Sequence, residues 1–148
     1  FDCTIDFNSR VIGRQEAHWD ESVDYAREIG VCRTFVFFHE IEFLFANNLV
    51  RGGDVDNAIV IVENPVSQEQ LDRMTALFNL PSVKVNSDGY LNNLTLRFDN
   101  ECARHKLLDL MGDFRLVGGF LNAKVTGIKS GHSINTLAAK KLAALVRK

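Results

Sequence analysis

Apolar and polar side chains alternate over residues 2–8, with Cys3, Ile5 and Phe7 on one side and Thr4, Asp6 and Asn8 on the other. That period predicts a half-buried strand. Residues 9–20 have no clear period; Val11 and Ile12 extend the strand and Gly13 ends it. Asp20 or Ser22 can cap a short helix that runs through Ile29 and stops at Gly30. The β-branched and aromatic run 32–38 (CRTFVFF) predicts a second strand. Residues 39–48 then change to helical spacing, with Ile41, Leu44 and Phe45 on one side and Glu40 on the other. His39 opens that helix among aromatics.

Residues 51–57 (RGGDVDN) carry turn chemistry, and the unbroken apolar run 58–62 (AIVIV) reads as a buried strand. Ser67 with Gln70 forms a capping-box pattern. Leu71, Met74, Leu77 and Phe78 follow as an apolar stripe, so 67–79 is a helix that Pro81 ends. Short strands are expected at 83–85 and 94–98, separated by the NSDG turn at 86–89. Asp99 or Asn100 caps a further helix that reaches about Leu116 and is stopped by Gly118 and Gly119. A strand over 120–129, a turn at 130–132 and a last helix from 133 complete the chain. In that last helix Leu137, Ala138, Leu142 and Leu145 are expected inward, and Lys140, Lys141, Arg147 and Lys148 outward. Strands and helices alternate irregularly, without a G-x-G-x-x-G or a P-loop. The expected fold class is therefore α+β, a mixed sheet layered against helices. The stretch 38–85 reads as an excursion from the main sheet.

Composition narrows the setting. The 148 residues suffice for one domain with a real core, and 46% apolar with 24% charged side chains is ordinary for a globular chain. The net charge of −2 gives no polyanion-binding surface, which excludes a nucleic-acid module. No apolar run approaches a membrane span and no signal peptide is visible. Cys3, Cys32 and Cys102 are far apart and form no C-x-x-C pair, which fits a reducing compartment. The chain begins with Phe1 rather than Met, so it reads as a piece of something longer.

The helix over 103–114 (ARHKLLDLMGDF) carries the strongest chemical signal. At about 100° per residue, His105, Lys106, Asp109 and Asp113 fall within one arc, while Leu107, Leu108, Leu110, Met111 and Phe114 fill the next. His105 and Asp109, one turn apart, can reach one metal ion. His132 lies in K-S-G-H, where the chain turns out of a strand. A zinc hydrolase needs three protein ligands, a base, an acid and an oxyanion stabiliser. His132 fits the acid, Lys106 or Thr34 the stabiliser, and Asp113 a carboxylate that orients an imidazole. A third ligand and a carboxylate base are missing.

R-H-K-L-L-D-L-M-G-D (104–113) and K-S-G-H-S-I-N (129–135) resemble two signatures of the UDP-3-O-acyl-N-acetylglucosamine deacetylases, zinc enzymes of lipid A synthesis in Gram-negative bacteria. T-I-D-F-N (4–8), C-R-T-F-V-F (32–37) and G-G-D-V-D-N-A-I-V (52–60) agree in order. The likeness covers nearly the whole chain and concerns the second of the family's two related α+β domains.

The resemblance implies that residues 1–148 form that C-terminal domain, with a β-α-β insertion at about 38–85 that lines a tunnel for the 3-O-acyl chain. His105 and Asp109 match zinc ligands, and the third ligand and the glutamate base would come from an N-terminal deacetylase domain absent here. His132 matches the catalytic histidine, Asp113 its orienting carboxylate and Thr34 the oxyanion hydroxyl. Lys106 and Phe35 match substrate contacts; Phe38, Ile41, Val50, Gly53, Ala58 and Val60 would line or flank the tunnel. The helix over 67–79 resembles the Bacteroidetes version, often fused to a 3-hydroxyacyl-carrier-protein dehydratase. The implied reaction is hydrolysis of the N-acetyl group of UDP-3-O-acyl-N-acetylglucosamine in the cytoplasm, by the whole protein; this chain alone is expected to be inactive and to expose an apolar interdomain face. The alternative is a non-catalytic acyl- or protein-binding module of the same fold, against which the full His105, Asp109, Asp113 and His132 set argues.

Overall fold

A computed structural model of the chain describes residues 1–47 and 58–146. In chain order these form β1 (Asp2–Asp6), β2 (Arg14–His18), α1 (Tyr25–Glu28), β3 (Thr34–Phe37), α2 (Phe38–Ala46), β4 (Ala58–Ile61), α3 (Gln68–Leu77), α4 (Glu101–Phe114), β5 (Thr126–Ile128) and α5 (His132–Val146). The class is α+β. The elements divide into two compact units: Phe1–Asn8, Ile12–Cys32 and Phe98–Lys148 make unit 1, and Ser9–Val11 with Arg33–Arg97 make unit 2.

Unit 1 is built on a mixed three-stranded sheet of order β2-β1-β5, antiparallel between β1 and β2 and parallel between β1 and β5. The alternation in β1 buries Cys3 and Ile5 as expected. α4 packs on β1 and β2, and α5 packs on α4. The buried positions Ala103, Leu107 and Leu110 recur at i, i+4 and i+7, which fixes the inward face of α4. Gly127 is required where β5 meets this helix. A Cβ there would lie 2.6 Å from Ser130 Oγ, so that side chain would have to move, and 3.0 Å from Leu110 Cδ2, a tight contact.

Unit 2 is a β-α-β unit in which β3 and β4 run parallel, Thr34 opposite Ala58 and Phe37 opposite Ile61, with α2 as the connection. Its core gathers Ile41, Val60, Val62, Leu71, Met74, Val83 and Leu91. α3 begins with the expected capping box between Ser67 and Gln70. Gly89 holds φ +83° and has the Val11 side chain against where a Cβ would stand, so glycine suits that turn.

Several elements differ from the pattern. β2 arises in the stretch without a period, because only Ala17 of its five residues is buried and alternation leaves no trace. The first helix shrinks to α1 and is capped by Asp24; Asp20 is occupied by the amide and hydroxyl of Ser22. No strand forms at 94–98: the Thr95 carbonyl accepts from the Arg33 guanidinium and the Phe98 carbonyl from the Glu101 amide at the start of α4. Residues 83–85 contribute only an isolated bridge between Val85 and Leu91. Of 120–129, only β5 is strand; Phe120 is fully out in solvent beneath the Arg115 guanidinium, 3.9 Å from its ring centre.

α5 differs most from its pattern. Its buried residues are Asn135 and Ala139, while Ile134, Leu137, Leu145 and Val146 are exposed. Among the described residues no helix is long and apolar enough to cross a membrane.

Candidate acid–base and metal-donor site

On the face of α4 away from its buried stripe, His105, Asp109 and Asp113 stand on successive turns. His105 Nδ1 lies 3.1 Å from the carbonyl oxygen of Cys32. A carbonyl only accepts, so Nδ1 carries a hydrogen and Nε2 is the nitrogen that a neutral ring offers to a cation. That nitrogen lies 3.6 Å from Asp109 Oδ1. The other Asp109 oxygen accepts from Lys106 Nζ at 2.8 Å and is 3.7 Å from His132 Nε2. The Asp109 side chain is only 10% exposed.

His132 reaches this group from the first residue of α5, not from a preceding turn. The left-handed residue that swings the chain out of β5 is Lys129, at φ +50°, and not Gly131. Its amide donates to the Thr4 carbonyl and its ammonium lies 2.7 Å from Asp6 Oδ2, which holds the turn against β1. His132 Nδ1 then sits 2.9 Å from Asp113 Oδ2 and 3.1 Å from Oδ1. Asn135 Nδ2 donates to Asp113 Oδ2 at 3.0 Å. The imidazole is 65% exposed while the Asp113 carboxylate is 12% exposed.

The two α4 donors suit a cation. Two ligands of a tetrahedral zinc ion, each at about 2.0–2.2 Å, lie roughly 3.3–3.6 Å apart; His105 Nε2 and Asp109 Oδ1 are 3.6 Å apart. The Nδ1–H bond to Cys32 is the outer support that a metal-binding imidazole uses. Among the described residues, no group of three or more His, Cys, Asp or Glu side chains is placed to hold a metal. Cys3 lies beneath the cluster, but burial pushes its thiol up to about 11, with Lys106 working to lower it and Asp109 to raise it.

The structure thus gathers His105, Lys106, Asp109, Asp113 and His132 in unit 1. The remaining expected residues belong to unit 2. Thr34 opens β3 and is exposed, and Phe35 is half-buried, edge-on to Phe37 at 6.4 Å. Phe37 in turn stacks on His39. Ile41 and Val60 are buried in the core cluster, with Phe38 packed against it, and Ala58 is half-buried. Val50 and Gly53 lie outside the described residues. Pattern reading gave no role to Asn135, although it closes the K-S-G-H-S-I-N stretch three residues after His132, nor to the Cys32 carbonyl, which leaves no trace in side-chain identity.

Fold and cluster together define an α+β protein with a hydrogen-bonded His–Asp cluster and two metal-type donors on one helix face. The family model for LpxC, UDP-3-O-acyl N-acetylglycosamine deacetylase, matches residues 1–77 and 80–144, and the chain belongs to that family. It is 42% identical over 147 residues to the bifunctional enzyme LpxC/FabZ of Porphyromonas gingivalis, which covers 99% of this chain and 31% of that protein. The bifunctional enzyme LpxC/FabZ of Bacteroides thetaiotaomicron is 38% identical over 97% of this chain and 31% of its own length. The UDP-3-O-acyl-N-acetylglucosamine deacetylase of Syntrophotalea carbinolica is 39% identical over 81% of this chain and 31% of its own length. The chain therefore spans less than a third of the curated relatives it matches.

Proposed function

We propose that this chain is the C-terminal domain of a zinc-dependent deacetylase that hydrolyses the N-acetyl group of UDP-3-O-acyl-N-acetylglucosamine in lipid A synthesis. The observation that carries the reading is the preset His105 ring: its Nδ1 is held by Cys32, and its Nε2 faces Asp109 Oδ1 at 3.6 Å. His105 and Asp109 hold the zinc ion, with a third ligand and the glutamate base supplied by an N-terminal deacetylase domain. When bound, the ion supplies Lewis acidity and makes water nucleophilic near neutral pH. His132, held at Nδ1 by Asp113, delivers a proton from Nε2 to the departing amine nitrogen as the amide C–N bond breaks. The Thr34 hydroxyl donates to the oxyanion. Lys106 and Phe35 contact substrate.

Unit 2 takes the 3-O-acyl chain. Its support is the apolar set of Phe38, Ile41, Ala58 and Val60, together with Val50 and Gly53 from the sequence. The exposed Leu116, Phe120, Ile128, Ile134, Leu137, Leu145 and Val146 of unit 1 support an interface with the N-terminal domain. The relatives named bifunctional LpxC/FabZ support a fused 3-hydroxyacyl-carrier-protein dehydratase. The protein works in the cytoplasm, and this chain alone is inactive because ligand and base are incomplete.

The test uses the whole protein that carries this chain, assayed for release of acetate from UDP-3-O-acyl-N-acetylglucosamine and for zinc content. His105→Ala and Asp109→Ala each lose zinc and activity. His132→Ala retains zinc and loses about 10²–10⁴-fold in kcat, the usual contribution of a general acid. Zinc retained at the wild-type level in both ligand variants overturns the reading.

A further inference from the structure

We infer that Asn135 is a positioning residue for the proposed reaction, setting the tautomer and orientation of His132 through Asp113. α5 buries little, and what it buries is informative. Its outward positions include Ile134, Leu137 and Leu145, while a polar amide occupies one of its two buried positions. Asn135 is 3% exposed and stands one turn after His132, on the same side of the helix. Its backbone amide donates to the Gly131 carbonyl at 2.9 Å, and Thr136 Oγ1 donates to the His132 carbonyl at 2.6 Å, so the first turn that carries His132 is fixed.

The amide nitrogen of Asn135 has only hydrogens to offer, so Asp113 Oδ2 must accept from it. The same oxygen is the one nearest His132 Nδ1. A carboxylate oxygen can accept from two donors, so Asp113 Oδ2, fixed by the Asn135 amide, offers its other lone pair to the ring and the hydrogen is placed on Nδ1. Nε2 is then the ring atom that gives and takes a proton, and it points to the Asp109 side of the cluster. The dependence is strong because the ring itself is 65% exposed and little else packs around it. Asp113 aims the imidazole, and buried Asn135 aims Asp113.

The inference rests on the acid role proposed for His132, but the test reads the ring directly. Imidazole nitrogen spectra of the full chain at about pH 8, above the reference value of about 6.5 for a free imidazole, report the tautomer of each histidine. The wild type should show hydrogen on Nδ1 of His132. Asn135→Leu keeps the volume and removes the donor, and Asn135→Ala removes both. In each, His132 should lose the Nδ1–H signature and mix toward the Nε2–H form that free histidine prefers, while His105, held by Cys32, stays as it was. An unchanged His132 pattern in both variants overturns the inference, as does an Nε2–H ring in the wild type. If all four imidazole patterns collapse in both variants, Asn135 is a core residue and the inference also fails. Failure of the acid role appears separately, as full activity of His132→Ala in the whole protein.

Discussion

Two imidazoles of unit 1 each sit between two aspartates, yet their ring nitrogens are engaged differently. His18 is consumed at both ring nitrogens: Nδ1 lies 2.7 Å from Asp2 Oδ1 and Nε2 3.1 Å from Asp20 Oδ2. Asp2 faces it across the β1–β2 register and is also paired with Lys124 at 3.2 Å. The carboxylates are 30% and 57% exposed. His132 is bonded to a carboxylate at Nδ1 alone; its Nε2 stands 3.7 Å from Asp109, beyond hydrogen-bonding distance. Its two carboxylates are 12% and 10% exposed and sit on a helix whose other face is core. The residue types are the same. What separates a surface ion-pair cluster from the site proposed at His132 is which ring nitrogen is left without a hydrogen bond to a carboxylate, and how buried the carboxylates are.

The largest break in this comparison should come from Asp113→Ala. Loss of the carboxylate that holds Nδ1 lowers kcat of the whole protein by about 10²–10⁴-fold, the scale of general acid catalysis, with zinc retained. Asp20→Ala, which removes the matching carboxylate from His18, leaves kcat unchanged. Equal losses in the two variants would dissolve the distinction. The second effect is on the support. Leu107 is fully buried under the site, and Leu107→Ala should cost about 2–5 kcal/mol by urea denaturation. Leu137→Ala on the exposed face of α5 stays within about 0.5 kcal/mol. If Leu137→Ala costs as much as Leu107→Ala, α5 is packed in solution in a way its exposure here does not describe.

These two helices also mark how far the sequence could be read. α4 was legible because, Glu101 apart, its buried residues are apolar and its neighbours β1, β2 and α5 are within the chain. Its face therefore gave His105, Asp109 and Asp113 together from spacing alone. α5 misleads for the opposite reason. The apolar positions Leu137 and Leu145 point to solvent, and the buried place goes to Asn135, whose partner Asp113 lies 22 residues away. Hydrophobic period reports which side chains avoid water, and it points inward only when the chain itself supplies the cover. β2 was illegible because a strand with one buried residue has no alternation to show. The strand expected at 94–98 failed because alternation does not reveal that Arg33 and the start of α4 claim its carbonyls. Function was carried by short polar signatures, which survive where period does not.

The smallest effect is electrostatic and belongs to the closed cluster. Asp2 and Asp20 hold the His18 imidazolium, so its pKa lies above the usual value of about 6.5. Ser22, then His18, holds the Asp20 carboxyl down at about 2, and His18, then Lys124, lowers Asp2. For His18 the folded pKa exceeds the unfolded one, so its stabilisation is complete below about pH 6.5 and is lost as pH rises through the folded value. For the aspartates the folded values are depressed, so their stabilisation is present above about pH 3.9 and is lost as pH falls toward the folded values. The His18 pairs with Asp2 and Asp20 are common to both statements, beside the separate help of Ser22 and Lys124, and they bound one window, about pH 4–6.5. A proton titration of His18 by NMR should show the raised midpoint, moving down in Asp20→Asn and at high salt, because these groups are exposed and screened. The gain in stability is small, as for other surface pairs. A midpoint unmoved in Asp20→Asn would leave Asp2 as the only effective partner and make His18, like His132, a ring held from one side.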